Sequence, residues 1–110
     1  MIETQLNEQQ GLLTLTLTED LLSSSSEKAV EGFEKALGGP DKYRDLCIDL
    51  TRCRQVDSVG LNLLFGVLNK AKELGADPWV IVTRGSLERV MQVARVDKLF
   101  KVEIKEPSTG

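Results

Sequence analysis

Asp57 and Ser58 have the clearest chemical potential in the chain, because they stand directly before a long apolar segment. Either side chain can cap a helix there by accepting a hydrogen bond from a free backbone N–H. A serine at that place can also carry phosphate, since the free N–H groups and the helix dipole stabilise negative charge. Ser58 is therefore open to two interpretations, a cap or a phosphorylation site. Asp57 is open to a cap, a loop-fixing role or a part in phosphoryl acceptance.

The residue types in the chain give little support for a catalytic role. The 110 residues include no histidine, which removes Ser-His-Asp and Cys-His catalysis and the usual zinc sites. The spacing of Cys47 and Cys53 fits no zinc or redox motif, so we expect two reduced thiols. We therefore predict no enzyme activity, no metal and no cofactor. A net charge of −3 with scattered basic residues argues against nucleic-acid binding.

The composition, with 41% apolar and 28% charged residues, is that of a soluble globular chain, and we expect one domain over 1–110. No apolar run approaches the roughly 18 residues of a membrane-spanning helix, so we expect no direct membrane insertion. The first ten residues are polar and do not resemble a secretory signal, which indicates a cytoplasmic protein. The last residues, 105–110, read as a frayed tail.

Hydrophobic periodicity predicts an α/β fold in which an N-terminal hairpin leads into strands that alternate with helices. Leucines at 13, 15 and 17 alternate with threonines, which is typical of a half-buried strand. Asp77-Pro78 reads as a turn, Ser86 as a helix cap, and Gly38, Gly39 and Pro40 as a helix end. We predict a mixed four- to five-stranded sheet with helices mainly on one face. The predicted strands are 2–5, 12–18, 46–50, 79–83 and 98–104, and the predicted helices are about 27–37, 58–74 and 86–96.

The helix after Ser58 is apolar on more sides than packing against one sheet requires. Each of its apolar residues is more often core than interface, but their joint excess near Ser58 indicates an exposed apolar patch. Gly60 and Gly66 inside this helix are best explained by close backbone approach, to the sheet or to a partner. The predicted partner-binding residues are Asp57, Ser58, Val59, Gly60, Leu61, Leu64 and Phe65.

The order of elements and the segment LCIDLTRCRQVDSVGLNLL resemble the STAS domain, the sulfate-transporter and anti-sigma-factor-antagonist family. The later segment VMQVARVDKLFKV is similar to that family's third helix and final strand. In bacterial anti-sigma factor antagonists the serine after the aspartate is phosphorylated, which implies Ser58 here. The resemblance implies a transcription regulator that sequesters an anti-sigma factor serine kinase in partner switching. A phosphatase acting on the phosphoserine would reset it. We predict that the domain is a monomer.

Two alternatives remain open at this level. Many family members carry a second serine or threonine where this chain has Val59, so a STAS module that is never phosphorylated is the main alternative. Such a module would be a scaffold of a signalling complex or a subunit of a lipid-transport complex. A phospho-aspartate receiver domain is also small and α/β, but no acidic pair follows the first predicted strand, and the initial hairpin fits it poorly.

Overall fold

The structure is a computed structural model that describes residues 1–39 and 43–107. Its elements follow the predicted alternation of strands and helices, with a short 3₁₀ turn at Ser23–Ser25 before the first helix. The strands are β1 Ile2–Asn7, β2 Leu12–Leu17, β3 Asp45–Asp49, β4 Asp77–Thr83 and β5 Lys101–Lys105. The helices are α1 Ser26–Gly38, α2 Ser58–Glu73, α3 Ser86–Val93 and α4 Val96–Leu99.

The five strands form one sheet in the order β1-β2-β3-β4-β5. β1 pairs antiparallel with β2, and the other three pairs are parallel, which confirms the predicted hairpin and the mixed sheet. Ile48 at the centre of β3 lies between Leu15 of β2 and Val80 of β4, and all three are fully buried. The register therefore places the alternating leucines of β2 in the same apolar layer as the residues of β3 and β4.

All helices cover that one face of the sheet, as predicted. The fully buried residues of β2 and β4 alternate with partly exposed ones, such as Thr14, Thr16, Trp79 and Ile81, which lie on the opposite face. Each of the three longer helices contributes buried apolar side chains to the covered face, where a single continuous core forms. These side chains include Ala29, Phe33 and Leu37 of α1, Leu64, Leu68 and Ala71 of α2, and Leu87 and Met91 of α3.

The chain after β4 differs from the prediction. The helix expected over 86–96 ends at Val93, Arg95 adopts a left-handed conformation with φ 61°, and a separate turn of helix, α4, follows. Lys98 therefore belongs to α4, and the last strand begins three residues later than predicted. The physical reason is burial, because the sharp turn at Arg95 lets Val96 and Phe100 both reach the core.

Three smaller boundaries also differ. Asp77 and Pro78 begin β4 and do not form a turn, since a proline is tolerated near the start of a strand. Ser86 is the first residue of α3, and Gly85 occupies the cap position. Lys105 ends β5, and Arg84 Nε donates a hydrogen bond to Glu106 Oε1 at 2.7 Å. The predicted helix terminator Pro40 and the tail residues 108–110 lie outside the described residues.

Among residues 1–39 and 43–107, no helix combines the length and the apolar character needed to cross a lipid bilayer.

Candidate functional site

The loops that follow β2 and β3 are joined to each other at the N-terminus of α2. Leu21 and Val56 form an isolated parallel bridge between the two loops. The Leu21 N–H donates to the Gln55 carbonyl at 3.0 Å, and the Asp57 N–H donates to the Leu21 carbonyl at 3.2 Å. The buried Leu21 side chain anchors this junction in the core. The start of α2 is therefore held by the neighbouring loop as well as by its own strand.

Two aspartates complete the junction by accepting backbone hydrogen bonds across it. Asp57 Oδ1 accepts from the Gly60 N–H at 2.8 Å, and Asp57 Oδ2 accepts from the Ser23 N–H at 2.7 Å. These bonds lower the pKa of Asp57, with the bond from Gly60 as the largest cause. Asp20 Oδ1 accepts from the N–H groups of Arg54, at 2.7 Å, and of Gln55, at 3.2 Å.

Asp57 is thus the cap of α2 and also fixes the loop before α1. Each of its carboxylate oxygens accepts a hydrogen bond from a backbone N–H group. These contacts match two of the interpretations given for Asp57, the helix cap and the loop-fixing role. The sequence pattern did not single out Asp20, which plays the matching role from the other loop. An aspartate just after a strand, where loop N–H groups need acceptors, is the signal that would have indicated it.

Position 60 requires a glycine because the loop between β2 and α1 passes close to the backbone of α2 there. A side-chain Cβ at this position would overlap the Leu21 carbonyl oxygen and lie 2.8 Å from the Leu21 carbonyl carbon. The close approach predicted for this glycine is therefore to a neighbouring loop and not to the sheet. Gly66 is different, because a Cβ there would meet nothing within 4 Å among the described residues.

Ser58 is the first residue of α2 and is exposed to solvent. Its hydroxyl makes no hydrogen bond to any residue in the described part of the chain, since Asp57 already serves as the cap. The next residue, Val59, is 41% exposed. The hydroxyl of Ser58 is therefore free to meet another molecule.

The predicted apolar patch beside Ser58 is only partly present on α2. Leu64 is fully buried, so the expectation that it contacts a partner directly is wrong, and its role is in the core. Phe65 is partly buried and packs on Phe100, with ring centroids 6.4 Å apart. Leu61 remains at the surface, where it lines a cleft of about 620 Å³ with Val90 and the 78% exposed Val93 of α3.

The apolar surface near Ser58 therefore extends onto α3, which the sequence pattern did not indicate. A second cleft contains Leu22, Val56 and Asp57, and it shares Ser86 and Val90 with the first. The two clefts thus form one continuous surface around the N-terminus of α2. We call it the α2–α3 surface and define it by Leu22, Val56, Asp57, Leu61, Val90 and Val93. Ser58 does not line either cleft, and it adjoins this surface as the exposed residue next to Asp57.

The two cysteines lie apart from this chemistry. Burial, the largest cause, raises the pKa of the Cys47 thiol to about 12 and also raises the pKa of Cys53. Both thiols are free, and neither is a thiolate near neutral pH. In residues 1–39 and 43–107, no group of three or more His, Cys, Asp or Glu side chains is placed to hold a metal ion.

The chain belongs to the STAS domain family, whose model matches residues 3–107. Several solved structures share the fold. An anti-sigma factor antagonist from Mycobacterium paratuberculosis superposes with a TM-score of 0.76 at 18% identity, covering 99% of this chain and 88% of that chain. A candidate anti-sigma factor antagonist from Thermotoga maritima gives a TM-score of 0.71 at 15% identity, with the same two coverages. The anti-sigma factor antagonist SpoIIAA, in its unphosphorylated form, gives 0.58 at 14% identity, covering 98% of this chain and 90% of that chain.

No curated protein sequence matches this chain. Identities of 14–18% to the solved structures establish the common fold alone.

Proposed function

We propose that this chain is a bacterial, cytoplasmic anti-sigma factor antagonist that binds an anti-sigma factor through its α2–α3 surface. We further propose that the anti-sigma factor is a serine kinase, that it phosphorylates Ser58, and that phosphorylation ends the complex. In this proposal a separate phosphatase restores the serine, and all catalysis belongs to the partners. Membership of the STAS family and the antagonists among the structural neighbours support the proposal.

The main support for the proposal is that Asp57 and Ser58 have different roles at the start of α2. Asp57 satisfies the helix N-terminus and the adjacent loop with both oxygens, which leaves the Ser58 hydroxyl exposed. A serine needed only as a cap would have its hydroxyl turned to a backbone N–H of the first helical turn. Ser58 is instead exposed to solvent at the first residue of α2, as a substrate of another protein must be.

The same position explains how a phosphate would act without disturbing the fold. At the first residue of α2, a negative charge is favoured by the helix dipole, by about 0.3–1 kcal/mol for a full charge at the surface. A phosphoserine carries about −1.5 to −2 charges, and it would stand beside Leu61 and Val59. Binding a partner over those apolar side chains would then require desolvation of the phosphate. An unpaired charge makes that desolvation costly, by several kcal/mol.

The test is a binding titration of an isolated anti-sigma factor kinase against the wild type, Ser58→Ala, Ser58→Asp and the enzymatically phosphorylated protein. We expect Ser58→Ala to bind like the wild type and never to be released by the kinase with ATP. The phosphorylated protein should bind at least about tenfold more weakly, which corresponds to about 1.4 kcal/mol. Ser58→Asp should show part of this loss, since it carries about half of the charge.

Two controls separate the switch from effects on folding and on net charge. Asn69→Asp adds the same charge to an exposed position of α2, about 16 Å further along the helix, and should leave binding unchanged. Melting curves of all variants should agree within a few degrees. Equal affinity of phosphorylated and unphosphorylated protein would reject the switch and favour a scaffold or a lipid-transport subunit that is never phosphorylated.

A further inference from the structure

A second apolar surface lies between α1 and α2, on the side of α2 away from α3. The two helices leave an open groove of about 370 Å³ whose lining includes Val30, Phe33, Val59, Leu63 and Gly66. A shallower stretch of about 420 Å³ shares Val30, Val59 and Leu63 and continues the groove toward the start of α1. Two of the five large apolar residues that are exposed in the described chain, Val30 at 37% and Val59 at 41%, line it.

Gly66 lies open in this groove, and packing among the described residues does not require a glycine there. It is exposed on α2, lines the groove, and its missing Cβ would meet nothing within 4 Å. Glycine is the least favourable residue in a helix interior apart from proline. Gly60 on the same helix is explained by the Leu21 carbonyl, but the space at Gly66 is filled by nothing in the described residues. An occupant that inserts a side chain there would explain it.

The charges along the groove indicate what the occupant is. Glu27, Glu31 and Glu34 line the α1 side in an i, i+4, i+7 row, and none of them forms an ion pair with any residue that the structure describes. Like charges at such spacings destabilise an isolated helix. Among the described lining residues the single basic one is Lys70, at the far end, whose Nζ lies 3.8 Å from Glu73 Oε2. The groove is thus apolar along its floor and acidic along one wall.

We propose that the α1–α2 groove binds an amphipathic helix of a partner protein that carries an apolar stripe flanked by lysine or arginine. The apolar side chains would lie along Val30, Val59 and Leu63, with one of them inserted at Gly66. The basic side chains would lie against Glu27, Glu31 and Glu34. The 15 Å or so between Glu27 and Leu37 corresponds to about three turns of an occupying helix. This inference does not depend on phosphorylation of Ser58.

Other occupants fit the groove less well. A wholly apolar small molecule would leave the acidic wall without a counter-charge. A second copy of this chain would bring its own acidic row toward the first, which disfavours a symmetric pairing at low salt. A basic amphipathic helix satisfies both the floor and the wall, and helix-in-groove binding uses apolar anchors at i, i+3 or i+4, and i+7.

The experiment uses a display library of helical peptides, about four turns long, with apolar residues fixed at i, i+4, i+7 and i+11. The flanking positions are randomised among Lys, Arg, Glu, Gln and Ser. Peptides are selected for binding to the full wild-type chain, and no variant is used in the selection. We expect enrichment of Lys and Arg on one flank of the selected peptides.

Affinities of a selected peptide for variants then test both parts of the groove. Gly66→Leu should weaken binding more than tenfold, and Glu31→Gln and Glu34→Gln each about threefold, with the glutamate effects lost at high salt. Asn69→Leu adds the same side chain to α2 outside the groove, and Glu103→Gln removes a charge on the opposite face of the sheet. Both controls should bind like the wild type. Circular dichroism confirms that each variant is folded.

Three results would overturn the proposal. If the selected peptides show no preference for Lys and Arg at the flanking positions, the groove is a purely apolar ligand site. Unchanged affinity for Gly66→Leu would mean that the peptides bind elsewhere. Dimerisation of the wild type in sedimentation, abolished by Gly66→Leu, would mean that a second copy fills the groove.

Discussion

Two glycines on the same helix should respond in opposite directions when each is changed to alanine. Alanine is more favourable than glycine in a helix interior by about 0.8–1.0 kcal/mol, which applies to Gly66. The figure is an upper limit for Gly60, which lies in the first turn of α2. At Gly66 nothing within 4 Å opposes the new methyl group, and the gain should appear in full. Gly66→Ala should therefore raise the free energy of unfolding by nearly 1 kcal/mol.

Gly60→Ala should destabilise the protein because its methyl group collides with backbone. The Leu21 carbonyl cannot withdraw as a flexible side chain would, since Leu21 is tied to Gln55 and Asp57 by hydrogen bonds of 3.0 and 3.2 Å. Overpacking costs about 1–3 kcal/mol, and each lost hydrogen bond about 0.5–1.5 kcal/mol. After the helix-propensity gain, a net loss of roughly 3 kcal/mol remains.

Thermal unfolding followed by circular dichroism measures both changes. A chain of this length shifts its Tm by roughly 4 °C per kcal/mol, so we expect a fall of about 12 °C for Gly60→Ala and a rise of about 4 °C for Gly66→Ala. In urea unfolding, both variants should keep the wild-type m-value, which is the slope of the unfolding free energy against urea concentration. If Gly60→Ala melts at or above the wild-type temperature, the contact between α2 and the β2–α1 loop does not hold the helix as described.

Three further outcomes follow from the same contacts. Because backbone hydrogen bonds lower the pKa of Asp57 below its ordinary 3.8, its stabilising contribution is complete above that pH and is lost as the pH falls through the lowered value. Urea unfolding should thus separate Asp57→Asn from the wild type at about pH 7, and the difference should narrow as the pH falls below 3.8. A difference that stays constant with pH would contradict this origin. Cys47 and Cys53 should react with a thiol reagent only after denaturant is added, and rapid reaction of the native protein would show that they are accessible. Leu64→Ala should cost about 2–5 kcal/mol, and Leu61→Ala clearly less, in chemical denaturation. Equal losses would place both residues in the same environment.

The fold was predictable because its sheet is built from strongly periodic segments. The leucines of β2 alternate with threonines, and such a strand can bury only one of its faces. The boundaries after β4 were not predictable, because the turn at Arg95 is imposed by burial of Val96 and Phe100. Tertiary packing overrides the helical pattern there, and a left-handed arginine has no local signal in the sequence.

The candidate site was predictable in position but not in the roles of its members. Capping chemistry indicated that Asp57 or Ser58 begins α2, and it could not decide between them, because both side chains accept from a helix N-terminus equally well. In the structure Asp57 is the cap, and it also accepts a hydrogen bond from the backbone N–H of Ser23. Ser23 lies 34 residues earlier in the chain, so a local sequence pattern could not reveal this second bond. Helical periodicity likewise grouped Leu64 with Leu61, although they differ in burial once α3 and the sheet are in place.

The adjacency of Asp57, Ser58 and Gly60 has a consequence for any mutational study of this surface. Asp57 holds two backbone donors, and Gly60 admits the Leu21 carbonyl, so changes at either residue alter the fold before they alter binding. Of the three, only Ser58 has an exposed side chain that makes no hydrogen bond to any described residue. A loss of partner binding in variants of Asp57 or Gly60 therefore says little about recognition. The regulatory hypothesis must be decided at Ser58, where charge can be added to the surface with the junction beneath it left intact.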